Sequence, residues 1–209
     1  MNTNYFNSNE INGFFSNPEK TIIEDVNGAK EFSIRAHHIF NGRIFIEGTI
    51  NQNTAVWFAS VMRHLADEKK TVDIYINSPG GEINSGLLMY DIIRSYKYPI
   101  NMYCIGMAAS MGAVLLAGGQ KGRRYILPHS KVMIHEPLIS GGFGGSATTI
   151  EKTAQNILET KSLINGILSE HTGKTIEQVN EATLFDNYMS AEEAVEFGIC
   201  DEIREFFAA

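Results

Sequence analysis

The chain has 209 residues, 44% of them hydrophobic, with 24 acidic against 17 basic side chains and a formal net charge of −7. That length buries one full core, as a single domain or a domain with an appendage. The acidic balance and the lack of a basic cluster argue against nucleic acid and anionic membrane as partners, and the composition is that of a soluble cytoplasmic enzyme.

Residues 1–17 carry six asparagines and neither Lys nor Arg, so no signal or transit peptide is expected. Residues 1 to about 35 read as a polar extension, partly disordered, with weak strand signals at Thr21–Val26 and Phe32–Arg35. A strand follows at Arg43–Gly48, then a helix at Thr54–Glu68 with apolar residues at Val56, Ala59, Val61 and Leu65. Val72–Ile76 reads as a strand and Gly86–Ser95 as a helix. The uncharged stretch from Tyr98 to Gln120 is long enough for a membrane span, but Asn101, Ser110 and four glycines interrupt it. It reads better as a strand at Ile100–Ile105, a turn, and a buried helix at Gly112–Ala117. Strands near Arg124–Leu127 and Lys131–Ile134 come next.

The Gly-rich run at residues 140–146 loosely matches G-x-G-x-x-A, but no acidic ribose partner or Walker-type Gly-Lys-Ser accompanies it. A flexible connection is the better reading. It leads into a long helix, Thr148–Ser169, with apolar residues at Ile150, Ala154, Ile157, Leu158, Ile164, Ile167 and Leu168. Ser190 with Glu193 forms a capping box ahead of a last helix containing Ala194, Val195 and Phe197. Repeated strand-then-helix units indicate an α/β fold. Cys104 and Cys200 read as reduced thiols, and without CxxC or HExxH neither a metal nor another cofactor is expected.

Three segments carry candidate chemistry. Gly106-Met107-Ala108-Ala109-Ser110-Met111-Gly112 sets a serine at a strand-to-helix turn, where the first N–H groups of the helix lack partners and stabilise developing negative charge. Taken alone, the segment fits a small-residue turn in a packed core equally well. Asn77-Ser78-Pro79-Gly80-Gly81 ends a strand in a turn whose glycines let the backbone approach a ligand. Met133-Ile134-His135-Glu136-Pro137 ends another strand with a histidine, a position more often structural than catalytic. Together they supply a nucleophile, a base and backbone donors. The residues themselves do not single out an acid to complete the set.

These three segments, in this order and spacing, resemble the proteolytic subunit of the ATP-dependent Clp protease, as does Asp186-Asn187-Tyr188-Met189-Ser190-Ala191-Glu192-Glu193-Ala194. The resemblance extends from about Asn41 to about Ile203. It implies a serine endopeptidase with Ser110 as nucleophile, His135 as general base and acid, and Asp186 orienting the imidazole. It also implies an oxyanion hole from the backbone N–H groups of Gly81 and Met111. The implied fold is the crotonase-like superhelix of β-β-α units, occupying residues 36–209, with the helix at about 148–169 projecting as a handle. The implied assembly is a homo-oligomer of two stacked heptameric rings, a tetradecamer, enclosing a chamber. An AAA+ unfoldase, the Clp ATPase, would feed it unfolded proteins, and short peptides would enter unaided.

Some positions depart from the family pattern. Glu136 replaces the usual Gln after the histidine and would favour a charged imidazolium if it pointed inward. Phe185 replaces an Arg used between rings, and Asp73 replaces an aromatic of the unfoldase-docking groove, although Tyr75 is retained. Residues 1–35 do not match the usual axial-pore hairpin. The departures leave room for a specialised maturation protease or a scaffold ring subunit. A crotonase-type acyl-CoA enzyme on the same fold would leave the Ser-His-Asp pattern unexplained.

Overall fold

The computed structural model describes residues 20–25, 28–138 and 144–207, which fall into two compact units meeting at Arg43/Ile44. In the first, β1 (Lys20–Asp25) and β2 (Gly28–Ser33) pair antiparallel from Lys20↔Ser33 to Asp25↔Gly28. A helix, α1 (Ile34–Phe40), follows directly. The sequence predicts a strand to Arg35, but the Ser33 hydroxyl accepts from the Ala36 N–H at 3.0 Å, which starts a helix. The expectations for residues 1–17, and for residues 140–143 of the Gly-rich run, lie outside the described residues.

The second unit is an α/β domain on a seven-stranded mixed sheet. Its elements are β3 (Arg43–Glu47), α2 (Gln52–Asp67), β4 (Val72–Ser78), α3 (Ile83–Ser95), β5 (Ile100–Ala109), α4 (Met111–Ala117), β6 (Arg124–Ile126) and β7 (Lys131–Ile134). They are followed by α5 (Ala147–Thr172), α6 (Ile176–Ala182), β8 (Asn187–Met189), α7 (Ala191–Phe197) and β9 (Glu202–Ile203). Strands run in the order β3-β4-β5-β6-β9, with β7 joining β5 and β8 joining β7. Strand β5 is parallel to β4, β6 and β7, and β6 to β9, whereas β8 runs antiparallel to β7.

Strand β5 organises the sheet. Its first half pairs with β6 (Met102↔Arg124) and its second half with β7 (Ala109↔Met133), so the sheet forks along its length. One face of β4 and β5 carries Val72, Ile74, Ile76, Ile100, Met102 and Cys104, all at 0% exposure. The other face carries a ladder of rings, Phe45, Tyr75 and Tyr103 stacked and Tyr125 tilted against Tyr103, with centroids 4.8–5.0 Å apart. Asp73, on that second face, accepts from Asn101 Nδ2 at 2.7 Å. Helix α4 is buried along all seven residues and touches β4, β5, β7, α3 and α5. The uncharged stretch is therefore strand, turn and core helix; among the described residues no helix is long and apolar enough to cross a membrane.

Helix α2 buries Ala55, Phe58, Val61, Met62 and Leu65, a stripe at i, i+3, i+6, i+7 and i+10. Val56, expected inside, is 53% exposed, because the helix packs its Ala55, Phe58, Met62 and Leu65 face on the domain and Val56 falls outside that face. Helix α5 is longer than expected at 26 residues and buries only Ile164, Asn165, Ile167 and Leu168. Ile150 and Leu158, in its first half, are exposed.

Arg124 ties the C-terminal segment to this core. Its guanidinium donates to both Asp201 oxygens (2.6 and 2.9 Å) and to the carbonyls of Ala117 and His171 (3.1 Å each). Burial by itself would raise the Asp201 carboxyl, but the Arg124 hydrogen bonds and charge outweigh it and hold the pKa at about 2. Both cysteines are free and buried; burial pushes the Cys104 thiol up to about 12 and raises Cys200 as well.

Candidate active site

Ser110 occupies the step from β5 into α4. Its backbone is at φ 51°, ψ −120°, a region L-residues avoid at a cost of about 1–3 kcal/mol. The turn is held from both sides. The Ser110 N–H donates to the Met133 carbonyl at 2.8 Å, and the Ser110 carbonyl accepts from Ala113 and Val114 at 2.9 and 3.1 Å. The residue stands at the N-cap of α4, yet its hydroxyl makes no capping bond to that helix. The hydroxyl instead meets His135 Nε2 at 3.0 Å.

Strand register explains why these side chains converge. Because β7 lies parallel to the end of β5 with Ala109 opposite Met133, the residue after Ile134 emerges beside Ser110. Strand β8 lies antiparallel to β7 with Ile134 opposite Asn187, so the residue before Asn187 falls opposite His135. That residue is Asp186, and its Oδ1 lies 3.0 Å from His135 Nδ1. An ionised carboxylate only accepts, so Nδ1 carries the proton and Nε2 accepts from the Ser110 hydroxyl. The imidazole is mostly buried, whereas the Asp186 side chain is 58% exposed.

The turn at Ser78–Gly81 packs against the serine. The Ser78 hydroxyl donates to the Gly48 carbonyl (2.6 Å) and accepts from the Gly80 N–H (3.0 Å). A Cβ on Gly80 would stand 2.7 Å from both the Ser110 Cβ and the Ala109 oxygen. Gly81 (φ +153°) lies beside Ile50, and a Cβ there would collide with the Ile50 carbonyl. The bridge to Ile50 uses the Gly80 carbonyl and the Glu82 N–H, so the Gly81 N–H takes no part in it. Met111 is the first residue of α4, and its N–H has no acceptor within the helix. A hollow of about 20 Å³ beside Ser110 has apolar walls from Ile83, Val114, Ile134, Ile164 and Leu168. Empty of protein, it holds about one water-sized group.

Glu136 does not turn toward the imidazole. Its carboxylate pairs with Lys161 of α5, and its N–H donates to the Thr183 carbonyl at 2.8 Å. The expectation that it charges His135 would require an inward orientation, which the structure does not have. Neither partner is visible in the sequence, because Lys161 and Thr183 are 25 and 47 residues away along the chain. Phe185, beside Asp186, is 79% exposed. Among the described residues, no cluster of three or more His, Cys, Asp or Glu is arranged to hold a metal ion.

A serine, a histidine and an aspartate joined in that order on an α/β scaffold form the arrangement that serine hydrolases use. The family model described as Clp protease matches residues 27–206. The chain belongs to the Clp protease family and is thereby placed among the serine peptidases.

Proposed function

We propose that this chain is the proteolytic subunit of an ATP-dependent Clp protease, a serine endopeptidase with Ser110, His135 and Asp186 as its triad. The observation that carries the reading is the hydrogen-bonded chain from the Ser110 hydroxyl through both ring nitrogens of His135 to Asp186. Ser110 Oγ attacks the peptide carbonyl as His135 Nε2 takes its proton. Asp186 accepts from Nδ1–H, keeps the imidazole in the reactive tautomer and stabilises the imidazolium. The tetrahedral oxyanion is met by the Gly81 and Met111 N–H groups, the second favoured by the N-terminus of α4. His135 then protonates the leaving amine, the Ser110 ester remains, and water releases it by the same steps. The apolar hollow beside Ser110 has room for about one methyl-sized group.

On this reading the domain winds as a crotonase-like superhelix, and the first half of α5 is a handle between two heptameric rings. A cytoplasmic AAA+ unfoldase delivers unfolded chains to the chamber. The exposed Ile150 and Leu158 on α5 support the handle role, since such a stripe needs a partner.

A fluorophosphonate should label Ser110 and no other serine. Ser110→Ala should lose peptide hydrolysis by up to about 10⁶ in kcat, and Asp186→Asn somewhat less, through the wrong tautomer. Labelling or turnover that survives in a folded Ser110→Ala protein would overturn the assignment.

A further inference from the structure

Beyond Ile134 no ladder bond holds the chain that carries His135, because β7 ends there. What restrains it next is Glu136, gripped twice. Its N–H is bonded to the carbonyl of Thr183, three residues before Asp186, and its carboxylate is paired with Lys161 on α5. Helix α5 also reaches the Asp186 side. Asn165, at 0% exposure, donates from Nδ2 to Asn180 Oδ1 (2.7 Å) and to Thr183 Oγ1 (3.2 Å). The Thr183 hydroxyl donates in turn to the Val179 carbonyl at 2.9 Å. Lys161 and Asn165 are four residues apart, hence on one face of the helix, one turn from each other. A single helical face therefore grips the histidine segment through one side chain and the aspartate segment through the other.

We infer that Lys161 and Glu136 are positioning residues, whose ion pair, together with the buried Asn165–Thr183 bond, holds His135 in line between Ser110 and Asp186. The inference rests on the reading of those three residues as the reacting groups. Lys161 and Glu136 touch neither Ser110 nor the imidazole nitrogens; they act through the backbone on either side of the histidine. Their side chains are 26% and 37% exposed, so the pair adds little to global stability. Geometry is more demanding than stability, because misplacing a catalytic group by about 1 Å can cost a hundredfold in rate. Removing the pair should therefore lower kcat while leaving substrate binding and folding nearly intact.

The test compares Lys161→Met, Glu136→Ala and the exchanged double variant Glu136→Lys with Lys161→Glu. Peptide kcat and KM, the fluorophosphonate labelling rate, thermal unfolding and sedimentation are measured on each full chain. Each single variant should lose about three- to tenfold in kcat and in labelling rate, with KM within about twofold and unfolding and assembly unchanged. The exchanged variant, which restores the pair with its charges reversed, should recover to within about twofold of the native kcat. Single variants at native rates would overturn the inference, as would an exchanged variant no better than the worse single. So would losses that track dissociation in sedimentation. If a single variant does not fold, the exchanged variant decides by its own kcat. Failure of the triad reading would show itself differently, as turnover surviving in Ser110→Ala whatever the pair variants do.

Discussion

Ser110 and Lys69 are the residues other than glycine with positive φ among those described. The strain at Ser110 has a local return. A serine in ordinary N-cap geometry would turn its hydroxyl onto the N–H groups of α4, whereas this backbone leaves the hydroxyl for His135 and the helix N–H groups for a ligand. The neighbouring turn is as tightly specified. Gly81→Ala would drive a methyl group into the Ile50 carbonyl at a φ that alanine resists. Relieving that collision must move the Gly81 N–H. The variant should lose about 10² or more in kcat, the scale of one oxyanion donor, and about 2 kcal/mol or more of stability. Peptide kinetics and urea unfolding on the same preparation check both, and native kcat in a folded Gly81→Ala protein would remove Gly81 from the oxyanion hole.

At the scale of elements, the C-terminal end of α5 carries a pH-sensitive contact. His171 Nε2 lies 2.7 Å from the Tyr90 hydroxyl of α3 and, when neutral, accepts from it. Burial and the Arg94 guanidinium lower the His171 pKa, Glu170 raises it, and Arg124 lowers it further. A folded pKa below the unfolded one means the folded chain resists a proton that the unfolded chain takes. The contribution is therefore whole above the ordinary histidine value, about 6.5, and is lost as pH falls from there through the lowered folded value. The unfolding free energy should decline over that window. His171→Gln, which still accepts from Tyr90 but does not titrate, should flatten that part of the slope. Urea titrations from roughly pH 8 to pH 5 test it, and an equal slope in both proteins would assign the decline to other groups.

The same scale shows how much of the site was legible. Strand β5, helix α4 and the strand end at His135 were readable because each is a local pattern of apolar residues closed by a turn. The choice of Asp186 as the acid comes only from the family resemblance. Its place beside His135 is set by the pairing of β8 with β7, two short strands more than fifty residues apart along the chain. The Glu136 carboxylate shows the converse. Chain proximity suggested the imidazole as its target, and a lysine one helix away claimed it instead.

For the whole molecule, the proposed ring assembly would cover exposed apolar residues. Leu158 is 57% exposed and Ile150 39% on the free half of α5, and Phe185 is 79% exposed beside the site. On the proposed ring assembly, the family resemblance puts Phe185 where relatives use an arginine between rings, so contact between rings would rest on apolar packing along α5. Added salt screens surface ion pairs and leaves apolar contacts in place. Sedimentation at micromolar concentration should show rings or ring pairs that persist across a salt series. A monomer would refute the ring reading, and double rings that split sharply with added salt would show that charges hold the interface.

What the sequence by itself determined is local: the alternation that makes β4, the apolar run and small-residue turn that make β5 and α4, and the capping box that Ser190 and Glu193 form at α7. Each follows from interactions among residues a few positions apart. Tertiary structure alone decided the fork of β5 between β6 and β7, the outward turn of Val56, the partner of Glu136 and the distances that join Ser110, His135 and Asp186. Those depend on registers and helix faces fixed between distant segments, and such contacts are set by packing the whole domain at once rather than by any local preference.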